Sequence, residues 1–268
     1  MLDKKITIQE LQEKKKRGEK ITMLTAYDYP IASMVDEAGI DMILVGDSLG
    51  MVVLGYKDTL SVSMDDMIRH SQAVKRATKR ALIVGDMPYK SFDTPKDAVK
   101  NAKRFIEEAG CDAVKLENQE ESSFDSAAAI IKAGIAVEGH LGLTPQSVEK
   151  LGGFKVQGRT PEAAQKIIDN AKRLEKMGCF SIVLECVPAE LGKMITKSLS
   201  IPTIGIGAGA DCDGQVLVIH DIIGLFERFT PKFVKKYAIL APVIKDAVRQ
   251  YIKEVKEGKF PSADHIFK

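Results

Sequence analysis

Two runs of this sequence close in the same way: "ILVGD" at 43–47 and "LIVGD" at 82–86. Each is a short apolar run ending in a glycine and a carboxylate. Three more runs carry charge at comparable places: "AVKLE" holds Lys115 and Glu117, "VEGH" holds Glu138 and His140, and "IVLE" ends in Glu185. Side chains alternate across a strand, so residues two apart share a face. By that parity Ile43, Val45 and Asp47 share one face, and Leu82, Val84 and Asp86 do the same on the second run. Lys115 and Glu117 share a face with Ala113, and Glu185 shares one with Val183. A strand covered on both sides should be almost continuously apolar, so charges two apart on one face point to chemistry.

Asp47, Asp86, Glu117 and Glu185 are four carboxylates, and Lys115 is the one cation among these strand-end residues. Brought together, they would repel one another unless compensated. A divalent cation resolves the conflict, and all-oxygen donors favour a hard ion, Mg2+ rather than zinc. The twin aspartates therefore read as two ligands of one metal. Helix capping or pairing with rim lysines would explain any one of these carboxylates equally well, but not all of them at successive strand ends.

The elements that must position these residues follow from periodicity. Short apolar runs "ITMLTAY", "DMILVGD", "ALIVGD", "DAVKLE", "IAVEGH", "FSIVLE", "IPTIGIG" and "QVLVIH" alternate with amphipathic stretches. Two of those stretches, at 94–110 and 160–178, open on Thr-Pro and close on glycine, which marks a helix start and stop. Strand–helix alternation implies a parallel sheet, and eight such units in about 250 residues suggest a (β/α)8 TIM barrel with its chemistry at the C-terminal mouth. The segment 48–67 is long enough for a structured flap, and beyond about Phe229 the chain reads as helical to its end. The expected organisation is one barrel domain over 1–268, braced by an N-terminal helix and C-terminal helices.

Composition narrows the class. With 268 residues and 45% hydrophobic content the chain can bury a large core, and a net charge of +2 gives no reason to expect nucleic acid or a membrane surface. The N-terminal twenty residues lack an apolar h-region, so no secretory signal is expected, and no apolar run is long enough to span a membrane. Four cysteines without a CxxC pair fit a reducing cytoplasm better than a zinc ribbon.

The longer motifs add a resemblance. "TAYDYPIASMVDEAGIDMILVGDSLGMVVLGY", "VGDMPY", "AVKLE", "GHLGLTPQSVEKLGGFKVQG", "LECVP" and "IGIGAGADCDGQVLVIHDIIGL" closely resemble the ketopantoate hydroxymethyltransferase family, from about Ile6 to the "GKFPSADHIF" tail. The resemblance implies a barrel of the phosphoenolpyruvate/pyruvate type. It also implies transfer of a one-carbon unit from 5,10-methylenetetrahydrofolate, a cosubstrate, to 3-methyl-2-oxobutanoate through a Mg2+-stabilised enolate. It assigns Asp47 and Asp86 to the metal, with Glu117 as a further ligand, directly or through water. Asp47, Ser48, Asp86 and Lys115 meet the oxoacid, Glu185 is the proton acceptor, and His140 lines the substrate site. It further implies a homo-oligomer, commonly a decamer. The chain departs from the family pattern at Asn118-Gln119, where a glycine pair is usual, and at "YKSF" (89–92), where Phe-Gly-Ser-Tyr is usual.

The remaining motifs have plainer readings. "GIGAG" at 205–209 suits a tight turn better than a phosphate cradle, and "DCDG" at 211–214 lacks the later ligands of a calcium loop. "KKKR" at 14–17 reads as a solvated helix end, His220-Asp221 as structural, and Met34, Met64 and Met67 as core filling. Two rival functions are weighed. A Mg2+-dependent lyase or mutase of the phosphoenolpyruvate mutase/isocitrate lyase group would carry a "KKCGH"-like loop, which is missing here. A non-catalytic barrel would not need charges at Asp47, Asp86, Lys115, Glu117 and Glu185.

Overall fold

The computed structural model describes residues 4–148, 152–153 and 155–267. Residues 149–151 and 154, within the motif that begins at Gly139, lie outside them. The described chain divides into two compact units, 1–218 and 219–268. The first is a closed barrel of eight parallel strands in sequence order, with β8 pairing back onto β1. The strands are β1 Ile21–Thr25, β2 Met42–Val45, β3 Leu82–Asp86, β4 Ala113–Glu117, β5 Val137–Gly142, β6 Ser181–Glu185, β7 Thr203–Ile206 and β8 Gly214–Leu217. Every apolar run picked out by periodicity overlaps one of them; β5 runs two residues past its run, to Gly142, and β8 begins one residue before its run, at Gly214.

Helices α1 Ile8–Arg17, α2 Tyr29–Glu37, α3 Leu49–Val52, α4 Met64–Ala77, α5 Pro95–Glu107, α6 Glu121–Lys132, α7 Pro161–Met177 and α8 Ala189–Ser198 complete this unit. The Thr-Pro starts behave as capping chemistry requires: Thr94 and Thr160 side chains accept from the Asp97 and Ala163 amides. Helix α7 stops at Gly178 with φ of 103°, in the left-handed region. The long β2–β3 connection contains α3 and leads into α4, whose start is fixed by a Ser63–Asp66 capping box.

Inside the barrel, Met23, Met42, Leu44, Leu82, Val84, Ala113, Val183, Ile204 and Val216 form one buried cluster, joined by Ile6 and Leu11 from the N-terminal segment. Three lysines tie that segment to aspartates that directly precede strands: Lys5 to Asp112 at 2.6 Å, and Lys14 to Asp41 and Lys15 to Asp213 at 2.8 Å each. Lys14 and Lys15 belong to the basic run expected to be solvated. Their side chains are only 17% and 13% exposed, because long stems carry the ammonium groups to partners at the barrel's N-terminal end. Asp213, in the "DCDG" turn, also accepts from the Thr203 amide and hydroxyl.

The second unit holds α9 Ile219–Ile222 and α10 Leu240–Lys256. The expectation of helix from Phe229 to the end is thus met only over Leu240–Lys256; beyond it the described chain holds only a short 3-10 turn at Ala263–His265. Residues 229–239 are turns and bends around Pro231, whose missing N–H cannot extend a helix.

Candidate active site

Register carries the polar residues to one end of the barrel. Asp86 on β3 stands opposite Lys115 on β4, Lys115 opposite Glu138 on β5, and Glu138 opposite Ser181 on β6. Nearer the C-terminal end, Glu117 pairs with His140, His140 with Val183, and Gly142 with Glu185. The inward parity read from β3, β4, β5 and β6 therefore holds.

On β2 it does not. Val45 pairs with Gly85 and Leu44 with Val84, so the two "VGD" runs are staggered by one residue. Met42 and Leu44, not Ile43 and Val45, join the inner cluster. Asp47 reaches the mouth because β2 ends at Val45 and the chain turns there, before the short helix at Leu49. The glycine of the second run faces outward: a Cβ on Gly85 would lie 2.3 Å from the Phe105 ring of α5.

Asp47, Asp86, Lys115, Glu117 and His140 are all buried, and the Glu185 side chain is 15% exposed. Lys115 Nζ donates to Asp86 Oδ1 at 2.6 Å, and the Asp47 amide donates to Asp86 Oδ2 at 3.3 Å. Burial disfavours the ammonium of Lys115, but Asp86, Asp47 and Glu117 outweigh it and raise its pKa. Burial, then the charge of Asp86, pushes Asp47 up to about 7. Burial, then Asp47, holds Glu117 well above the usual carboxylate range, and burial pushes Glu185 up to about 8. His140 lies between two of these groups, its Nε2 3.2 Å from Glu185 Oε2 and its Nδ1 4.0 Å from Glu117 Oε1. Neither contact has hydrogen-bond alignment, and burial followed by the Lys115 charge keeps the imidazole neutral.

Ser48 is hydrogen-bonded to Tyr27, Oγ to Oη at 2.8 Å. Gln146, in the turn after β5, was not picked out from the sequence although "GLTPQ" places it next to a strand end. Its amide donates to Glu117 Oε2 at 3.0 Å, and its Nε2 donates to Asp47 Oδ2 at 2.8 Å and to the Met87 carbonyl at 3.0 Å. Its buried Oε1 has no partner. Gln146 thus links two of the proposed ligands through one residue.

Both departures from the family pattern are accommodated. Asn118 Oδ1 accepts from the His140 amide at 3.1 Å, while its own amide donates to the His140 carbonyl at 2.9 Å. Lys90, where the resemblance places glycine, has φ of 63°. Around Glu185 the backbone is held tightly. Leu143 donates to the Glu185 carbonyl at 2.8 Å, and a Cβ on Gly142 (φ 97°) would meet that oxygen at 2.2 Å. Cys186, the next residue, has φ of 47°, and its carbonyl accepts from Gln157 at 2.8 Å.

The donor set suits a hard cation. Asp47, Asp86 and Glu117 offer only oxygen, and among the described residues the lysine that faces their buried charge is Lys115, paired with Asp86. Among the described residues no group of three or more His, Cys, Asp or Glu side chains is arranged to hold a metal ion, so the fit to a hard cation such as Mg2+ rests on the oxygen-only donors and their charge.

The family profile described as ketopantoate hydroxymethyltransferase matches residues 5–263. The 3-methyl-2-oxobutanoate hydroxymethyltransferase of Syntrophomonas wolfei is 59% identical over 264 residues, covering 98% of this chain and 95% of the relative. The protein of that name from Acetivibrio thermocellus is 57% identical, covering 100% of this chain and 94% of its own. Among solved structures, phosphoenolpyruvate phosphomutase from Streptomyces platensis subsp. rosaceus superposes with a TM-score of 0.64 at 12% identity, covering 97% of this chain and 92% of that one. A phosphonopyruvate hydrolase in complex with oxalate and Mg2+ gives 0.63 at 13%, covering 97% and 93%. These structures share the barrel. At full length and high identity, the sequence relatives show that the chain belongs to the ketopantoate hydroxymethyltransferase family.

Proposed function

We propose that this chain transfers a hydroxymethyl group from 5,10-methylenetetrahydrofolate to 3-methyl-2-oxobutanoate, giving ketopantoate. The observation that carries the reading is a buried lysine, Lys115, set among Asp47, Asp86, Glu117 and Glu185 at one barrel mouth in a member of this family. Asp47 and Asp86 would hold Mg2+, with Glu117 as a third ligand, directly or through water. When bound, the cation supplies Lewis-acid polarisation of the substrate's keto oxygen.

The protein's own groups do the rest. Lys115 binds the carboxylate of the oxoacid and offsets the negative charge that develops when C3 loses its proton. Ser48, fixed by Tyr27, meets the oxoacid beside Asp47. Glu185 takes the C3 proton onto a carboxylate oxygen, and burial favours its protonated form, which gives it the basicity that the transfer needs. His140, neutral and 3.2 Å from Glu185, lines the site next to that base. C3 then bonds to the methylene carbon of the folate, both C–N bonds of the methylene bridge break, water supplies the hydroxyl oxygen, and the proton held by Glu185 and one from water pass to the two nitrogens of the departing tetrahydrofolate.

The cysteine pattern extends the reading to the cytoplasm, and the family likeness extends it to a homo-oligomer, a decamer, which sedimentation velocity would test. The lyase or mutase alternative shares the barrel but lacks support from the relatives. A turnover assay with both substrates and Mg2+, following ketopantoate, decides the matter. Ketopantoate formation is expected; cleavage of a phosphonopyruvate or malate-type substrate with no ketopantoate would overturn the proposal.

A further inference from the structure

Glu138 is wholly buried, and the site described above makes no use of it. It belongs to a row of inward residues on four neighbouring strands: Asp86, Lys115, Glu138 and Ser181. Ser181 Oγ donates to Glu138 Oε1 at 2.8 Å, whereas Oε2 has no hydrogen-bond partner. A buried carboxyl oxygen without a partner loses hydration and gains nothing in return. Burial pushes this carboxyl up to about 7, with the Ser181 hydrogen bond and the charge of Lys115 pulling the other way. Lys115 lies in the same row but is engaged on the opposite side, 2.6 Å from Asp86. One lysine thus has a carboxyl on each flank, one engaged and one with a bare oxygen.

We infer that Glu138 is a positioning residue for Lys115: the carboxylate to which the ammonium turns when Asp86 takes up a divalent cation. The inference rests on the proposed role of Asp86 as a cation ligand. An ammonium and a metal ion compete for the same carboxylate oxygens, and a buried cation pushed off Asp86 needs another counter-charge. Glu138 supplies it one strand away. An ammonium has three donors, so Lys115 can bond Glu138 and still present a proton to the oxoacid's carboxylate. Ser181 holds one oxygen of Glu138 and leaves the other for the lysine.

The test is calorimetric titration of Mg2+ into metal-stripped full-length protein: wild type, Glu138→Gln, Lys115→Met and the double variant. Glu138→Gln should raise the Kd for Mg2+ by about tenfold or more, as loss of a group supporting a metal ligand does. In the Lys115→Met background the same substitution should change Kd by less than about twofold, because its effect passes through the lysine. Equal Kd values for wild type and Glu138→Gln would overturn the inference. So would equal weakening with and without Lys115, which would show a plain through-space charge effect. If Glu138→Gln does not fold, Glu138→Met, uncharged and similar in volume, is read by the same criteria. A folded wild type that binds no Mg2+ would overturn the cation site itself, and this separates the two failures.

Discussion

Asp86 is engaged at both oxygens, Oδ1 by the ammonium of Lys115 at 2.6 Å and Oδ2 by the amide of Asp47 at 3.3 Å. The first bond is an ion pair buried on both sides, with side-chain exposures of 5% and 3%. Two consequences follow for the aspartates. Asp86→Ala would leave the charge of Lys115 buried beside fewer carboxylates, at a cost of about 3–5 kcal/mol of stability. Asp47→Asn leaves that pair intact and keeps an oxygen that can accept from Gln146, so its stability should change by less than about 1 kcal/mol. Both should weaken Mg2+ binding. Urea unfolding and Mg2+ titration measure the two effects separately, and equal stability losses would contradict the assignment.

The pH dependence of stability has a definite sign. Burial raises Asp47 and Glu138 to about 7 and Glu185 to about 8, from 3.8 for the aspartate and 4.5 for the glutamates. Each group binds its proton more tightly in the folded chain. Its contribution to stability is therefore fully present below the unfolded pKa and is lost as pH rises through the folded one. Chelator-treated protein should show a melting temperature that falls between about pH 5 and about pH 8. Saturating Mg2+ should remove much of that fall, because a cation stabilises the ionised carboxylates. A melting temperature that climbs over this range without metal would refute the argument.

Lys115→Met tests the lysine's part in the reaction. It keeps most of the buried stem and removes the charge, so kcat/KM should fall by about 2–4 kcal/mol in transition-state terms. A rim ion pair would be worth only about 0–1 kcal/mol. A folded variant with near-wild-type kcat/KM would assign Lys115 to structure alone.

The barrel was legible because each strand is a compact apolar run between strong turn and cap signals, and the parity of β3, β4, β5 and β6 carried over directly. Asp47 shows where that logic stops. Parity assumes that a strand continues, but β2 ends at Val45 and its register with β3 is staggered, so Asp47 arrives by a turn. Gln146 escaped notice because an uncharged amide in a loop carries no charge conflict; its role appears only when β5 brings it between Asp47 and Glu117. The run at Lys14 and Lys15 looked solvated because local composition does not reveal aspartates at 41 and 213.

Lys90 offers a stability test that avoids the chemistry. A side chain at φ of 63° pays a steric penalty that glycine does not, on the order of 1 kcal/mol. Lys90→Gly should therefore raise the unfolding free energy by about 0.5–1 kcal/mol. Denaturant midpoints compare the two, and a clear loss would show that a contact made by Lys90 outweighs its backbone strain.

The final prediction separates proton removal from carbon transfer. Removing the C3 proton requires the oxoacid, the cation and a base, whereas forming the new bond also requires the folate. Protein, Mg2+ and 3-methyl-2-oxobutanoate in D2O should therefore exchange the C3 proton for deuterium with no folate present. Glu185 is the expected acceptor: it closes β6, lies 3.2 Å from a neutral His140, and has its backbone carbonyl fixed by the Leu143 amide. Glu185→Gln preserves shape and removes the proton acceptor, so exchange should slow by roughly 10²–10⁴-fold, as for loss of a general base. Proton NMR follows the C3–H signal for both proteins side by side. Equal rates would move the role to another group, with His140 the nearest candidate. Turnover with folate but no exchange in its absence would mean that the donor must bind before the proton leaves.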